Sequence, residues 1–153
     1  MVTPLGADIY ELGEVSADTV LTALFLYTIT YTAGANGTLD GGSPQSQTIS
    51  HSGNALPVEA QADTGYHFSG WTIVSGAGNG VIDTNANPLT ITNVTGSIEV
   101  EANFAINQYA LTYTASAGGT VSGTTTQTVN HGADGTSVTA VPDTGHHFVQ
   151  WSD

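Results

Sequence analysis

Two triplets, Asp63-Thr-Gly65 and Asp143-Thr-Gly145, contain the residue types from which acid–base chemistry is built. When two such turns face each other, their carboxylates share one proton and activate a water. Here each triplet precedes a His-Phe-x-x-Trp run, at the same place in two similar segments. In that setting Asp caps a turn and Gly takes a positive φ, so two structural turns are expected rather than an acid protease. The five histidines follow the same logic: His51 matches His131, His67 matches His147, and His146 replaces Tyr66. Neighbouring His146 and His147 point to opposite faces of a strand and do not easily hold one ion together. Asp83-Thr-Asn-Ala-Asn87 has the alternating oxygens of a calcium loop, but Pro88 stands where such a loop needs Gly, and no Glu closes it. No catalytic residue, metal site or cofactor is expected.

Trp71 and Trp151, with Phe68 and Phe148, are of a type that stacks on sugars. Their equivalent placement in the two segments makes them core anchors, along with Tyr31, Tyr113 and Phe104. Asn36-Gly-Thr38 and Asn93-Val-Thr95 satisfy the glycosylation sequon, and are also ordinary turn sequences.

The charge inventory narrows the partners. The 153 residues include 13 Asp plus Glu and no Lys or Arg, for a formal net charge of −13. Nucleic-acid binding is excluded, because phosphate neutralisation needs clustered Lys or Arg. Adhesion to anionic lipid fails on the same ground, and so do Walker-type phosphate sites and Lys–Asn crosslinks. Diffuse association with divalent cations is what such a surface invites. Without cysteine, neither disulfides nor thiolate metal sites hold the chain together. The apolar run Thr19 to Tyr27 is far short of the ~20 residues of a membrane helix, so no membrane insertion and a soluble chain are expected.

Internal repetition organises the rest. Tyr27-Thr-Ile-Thr-Tyr-Thr-Ala33 returns as Tyr109-Ala-Leu-Thr-Tyr-Thr-Ala115, and Asp63 to Trp71 returns as Asp143 to Trp151. One complete copy runs from 27 to 106, and residues 107–153 form a second that stops after the His-Phe-x-x-Trp run. The closing part appears at the other terminus: Val15, Leu21, Ala23 and Phe25 stand 79 residues before Val94, Val100, Ala102 and Phe104, and Tyr10 and Leu12 match Leu89 and Ile91. Two tandem repeats are expected, one of them split between the chain termini, with residues 1–26 as a detached tail. Period-2 alternation, as in Ile98, Val100, Ala102 and Phe104 against Ser97, Glu99, Glu101 and Asn103, predicts strands nearly throughout. An all-β chain with six or seven short strands per repeat follows, Asn54 to Ala62 being the one candidate helical turn. Asn36-Gly37, Asn79-Gly80 and Asp134-Gly135 read as tight hairpin turns.

The ordered blocks Tyr-x-Leu/Ile-Thr-Tyr-Thr-Ala, Gln-Thr-Val/Ile-x-His, Asp-Thr-Gly-x-His-Phe-x-x-Trp and Asn-Val-Thr-x-x-Ile-x-Val-x-Ala-x-Phe resemble the divergent internalin-B B-repeat family. The resemblance covers residues 27–153, with 1–26 as the tail. It implies a compact module, β-sandwich or β-grasp-like, strung in tandem in large bacterial and archaeal surface proteins, with no catalytic residues to carry over. This chain departs from the family in its missing Lys and Arg and in its permuted frame.

The tail is apolar on both faces: Leu21, Ala23 and Phe25 on one, Val20, Thr22 and Leu24 on the other, with Leu26 beyond. A strand of this kind is normally buried on both sides. The favoured expectation is an extracellular structural subunit, assembled head to tail. In it the tail of one molecule (Val15, Val20, Leu21, Ala23, Leu24, Phe25, Leu26) completes the copy at 107–153 of the next around Phe148 and Trp151, as a self-complementing homopolymer. Closure of the tail onto its own 107–153 segment is the competing arrangement. The alternative function is a fragment of a tandem-repeat adhesin gripping a glycan or host protein through the loops 41–46 and 75–87.

Overall fold

The computed structural model describes residues 2–6 and 9–152, the stretch before Gly13 by its backbone. Fourteen strands and no helix occur among the described residues, so none is a helix long and apolar enough to cross a membrane.

The intact copy contains eight strands: β3 (Leu26–Ala33), β4 (Gly37–Leu39), β5 (Gln45–Ser50), β6 (Ala60–Ala62), β7 (Tyr66–Ser75), β8 (Val81–Ile82), β9 (Ile91–Thr92) and β10 (Ile98–Ile106). Four form the main sheet in the order β5-β3-β10-β7. β10 is a central strand, parallel to β3 from Ile98↔Ile29 to Ala102↔Ala33 and antiparallel to β7. Parallel neighbours need a long crossover, and everything from β4 to β9 supplies it. The period-2 pattern sends Ile29 and Tyr31 of β3, and Ile98, Val100 and Ala102 of β10, to one buried face. Leu39, Ala55, Val58, Ala60, Leu89, Ile91 and Val94 of the crossover close over them. The pairs β4–β6 and β8–β9, with bridges Gly53↔Val94 and Val58↔Leu89, hold that second layer.

The second copy repeats the opening moves. β11 (Gln108–Thr112) pairs with β13 (Thr126–Asn130), and β12 (Gly119–Ser122) with β14 (Thr139–Pro142). The registers are conserved: Tyr109↔Val129 reproduces Tyr27↔Ile49, and Gly119↔Pro142 reproduces Gly37↔Ala62. Beyond β14, residues 145–152 form no strand, whereas the aligned β7 is ten residues long. The physical difference is the partner, because β7 gets its ladder from β10, and the described second copy has no strand in that position. At the other end, β1 (Val2–Gly6) and β2 (Ile9–Leu12) form an antiparallel hairpin. They lie 79 residues before Val81 and Ile91, so this hairpin stands in sequence where β8–β9 stands. The side chains of Tyr10 and Leu12 lie outside the described residues.

Three sequence expectations need correction. Asn54 to Ala62 is extended and irregular rather than helical, since its backbone bonds with other segments: Ala55 N to Ile91 O at 2.8 Å and Val58 N to Leu89 O at 3.0 Å. The Asn-Gly and Asp-Gly pairs close no hairpin. Asn36 turns the chain with φ 71°, but β3 and β4 on either side of it pair with different partners. The primed hairpin turns need positive φ at one or both central residues, and no residue of Asn79-Gly80 or Asp134-Gly135 has it. Residues 19–25, expected as a strand, are irregular, and Leu26, expected in the tail, opens β3 opposite Ser50.

Tyr31 sits at the centre of the core with its hydroxyl buried and without a hydrogen-bond partner. Burial pushes its pKa from 10.0 to about 12. As pH rises past 10 the unfolded state sheds a proton that the folded state keeps, so this contribution is complete below pH 10 and is lost toward 12. Tyr31→Phe is expected to leave stability unchanged or raise it by up to the ~1–3 kcal/mol that a lone buried hydroxyl costs, and to flatten the alkaline fall. Urea midpoints at about pH 9 and about pH 11.5 check this; an equally steep fall in the variant would contradict it.

Candidate functional site

The second copy opens a cleft of about 750 Å³ lined by Leu111, Tyr113, Val121, Val141, Phe148 and Trp151 among others. Its position corresponds to the space that β10 fills in the intact copy. There Tyr31, Phe68 and Trp71 pack around the central strand, with Tyr31–Trp71 centroids 6.4 Å apart and Phe68–Trp71 5.8 Å. The second cluster has the same form, with Tyr113–Trp151 at 5.7 Å and Phe148–Trp151 at 5.6 Å. Its exposure differs: Trp71 is 5% accessible and Trp151 46%. Phe148 is also exposed, whereas Phe68, Phe104 and Tyr113 are half-buried. The indole N–H of Trp71 donates to Ala86 O at 3.0 Å, in a segment between β8 and β9 that the described second copy lacks.

The N-terminal segment is not in this cleft. Residues 13–25 pair with no strand, and Val15, Val20, Leu21, Leu24 and Phe25 are exposed, as are Ala23 and the side chain of Leu26. In this structure the segment is therefore not closed onto the same chain's 107–153. Between Phe25 and Tyr27 only Leu26 intervenes, whereas Phe104 and Tyr109 are separated by four residues.

The other candidates resolve into turns and pins. Asp63 N donates to Asn36 O and Tyr66 N to Asp63 O, each at 3.0 Å; Asp143 repeats both bonds with Gly118 and His146. Gly65 and Gly145 follow at φ 86° and 84°. In the calcium-like loop, Asp83 Oδ1 accepts from Asn85 N at 3.0 Å, and Asn87 is taken up by Ala60, bonding both its N and O at 2.8 Å. The rings of His51 and His131 pack on Tyr27 and Tyr109 with centroids 6.1 and 6.0 Å apart. Asn36 and Asn93 are exposed turn residues at positive φ.

Sequence reasoning missed two polar devices. Gln47 bonds both backbone groups of Leu56, at 2.7 and 3.0 Å, and Gln127, 80 residues on, bonds both backbone groups of Thr136, at 2.6 and 2.7 Å. Each Gln fixes the loop after its strand, and their identical place in the Gln-Thr-Val/Ile-x-His block was the available signal. Asn107 gave no such signal, because the described chain has a single junction of this kind. It is the sole residue between β10 and β11. Its N–H donates to Gly65 O and its C=O accepts from His131 N–H, both at 2.8 Å. Its side chain meets His67 Nδ1 at 2.8 Å and Tyr66 O at 3.4 Å.

Gly65 completes this joint, because a Cβ there would run into the His131 ring. Gly65→Ala is expected to separate the two copies, so that backbone residual dipolar couplings no longer fit one alignment tensor. Gly145→Ala carries the same positive-φ strain with nothing within 4 Å of its Cβ and is expected to keep a single tensor. Identical behaviour of the two variants would deny the joint its rigidity.

No curated protein and no solved structure matches this chain. A family model does match, over residues 27–108 and again over 109–153, covering both copies and well over half of the sequence. By that match, the chain belongs to the divergent InlB B-repeat domain family.

Proposed function

We propose that the chain is a structural segment of an extracellular filament or surface stalk, joined head to tail by donation of the N-terminal segment of one molecule to residues 107–153 of the next. Family membership supports the coarser part, since domains of this kind occur in surface proteins and are typically non-catalytic. The observation that carries the finer part is a matched pair of exposed apolar surfaces. Leu21, Leu24 and Phe25 are 57%, 72% and 68% accessible in the donor segment, while Phe148 and Trp151 face an open cleft in the acceptor. Burying each large side chain contributes about 1.5–3 kcal/mol. With 13 carboxylates and no Lys or Arg, the assembled surface depends on diffuse solution cations to screen its self-repulsion.

Light scattering coupled to size exclusion tests the joint with three chains. The full chain is expected to form polymers that grow with concentration, and removal of residues 1–25 to abolish them. A third chain, in which a copy of residues 72–106 follows Trp151, carries its own central strand and is expected to stay monomeric. Polymers that persist in the third chain would refute donation and leave the loop-binding adhesin as the better account. So would a full chain that stays monomeric at every concentration.

A further inference from the structure

The intact copy is a template for how a strand enters the cleft, because both segments concerned correspond to strands whose pairing is observed. β10 lies between β3 and β7, not on the sheet edge. It runs parallel to β3 through Ile98↔Ile29, Val100↔Tyr31 and Ala102↔Ala33. It runs antiparallel to β7 through Ala102↔Trp71 and Phe104↔Phe68. β3 maps onto β11 and the residues after it 82 positions on, β7 onto 146–151 at 80, and β10 onto the N-terminal segment 79 positions back.

From this, and resting on the donation reading above, we infer that a second copy of the chain inserts residues 19–25 as a central strand, parallel to β11, pairing Thr19 with Leu111, Leu21 with Tyr113 and Ala23 with Ala115. On its other side the inserted strand runs antiparallel to 146–151, with Ala23 opposite Trp151 and Phe25 opposite Phe148. Two features specify this register, and a third leaves the site open to the strand. Side chains alternate strictly in a strand, so a slip by one residue would turn Leu21, Ala23 and Phe25 out of the cleft. A slip by two would replace the small Ala23 beside the indole with Leu21 or Phe25, where the intact copy places Ala102 against Trp71. Finally, the acceptor is preassembled on one side only: β11 already pairs with β13, while residues 146–152 have formed no ladder that would have to break.

The absence of native cysteine makes disulfide trapping specific. Thr22 and Thr114 correspond to Glu101 and Thr32, which are paired on the outward face of the parallel ladder. Neighbouring strand positions fall within the Cα separation that a disulfide tolerates. Full-length Thr22→Cys is mixed with full-length Thr114→Cys, Thr112→Cys or Ser116→Cys in a glutathione redox buffer. Intermolecular links are then mapped by mass spectrometry after chymotryptic digestion. The 22–114 link is expected to form faster than either displaced link by about tenfold or more. Preference for 112 or 116 would overturn the register while leaving donation standing. No intermolecular link at any of the three positions would overturn both. A chain carrying Thr22→Cys and Thr114→Cys together that links only within itself would overturn the second copy as the occupant.

Discussion

The parallel ladder between β3 and β10 is the constraint on which the module depends. Ile29 and Tyr31 from one strand and Val100 and Ala102 from the other are almost wholly buried, and β10 is the one strand that β7 neighbours in the sheet. β10 is also the last strand of the copy to appear in the sequence. The sheet is therefore completed by its final segment, which joins the β5–β3 pair to β7 in one four-stranded sheet. In the second copy, which has no described strand in that position, β11–β13 and β12–β14 keep the registers of the intact copy and the Tyr113, Phe148 and Trp151 rings cluster, yet the Trp is nearly half exposed. In the intact copy the central strand supplies the burial that the second aromatic cluster lacks.

Much of this was legible in the residues. Alternation in Ile98–Phe104 fixed both the strand and its buried face, and repetition at near-constant offset revealed that there are two copies. It also marked Trp71 and Trp151 as equivalent, although a pattern in the chain carries no information on how far each would be covered. Other features were hidden for identifiable reasons. Asn36-Gly37 has hairpin chemistry, but β4 pairs with β6, so a turn signal could not reveal that its flanking strands belong to different layers. Asn54 to Ala62 lacks the hydrophobic spacing of either regular structure, and its conformation comes from Gln47 on the preceding strand and from Leu89 and Ile91 far along the chain. The N-terminal segment has a two-faced apolar pattern, and its large side chains are exposed. In the structure residues 13–25 are irregular and bond to no strand.

The joint between copies converts a string of modules into a directed object. β10 passes into β11 with Asn107 as the only intervening residue, and that residue's N–H and C=O are bonded to Gly65 in one copy and His131 in the next. Gly65 allows the histidine ring to lie against the backbone where any side chain would push it away. The two copies thus share a continuous strand path and a contact across it. Their relative direction is set by short-range geometry rather than by charge, of which the chain has only one sign beyond histidine.

That path also determines how tension would be borne. The intact copy is entered at the start of β3 and left at the end of β10, and these strands are parallel neighbours. Pulling entry and exit apart slides one strand along the other, so the ladder from Ile98↔Ile29 to Ala102↔Ala33 is loaded together, in shear, rather than one bond at a time. Antiparallel neighbours entered and left at the same end would instead unzip sequentially. The topology that places β10 last in the copy therefore also makes it the strand that cannot leave without breaking the whole ladder. A chain without disulfides, Lys or Arg can resist extension on this basis, since the resistance comes from the direction of the strands and the apolar face beneath them.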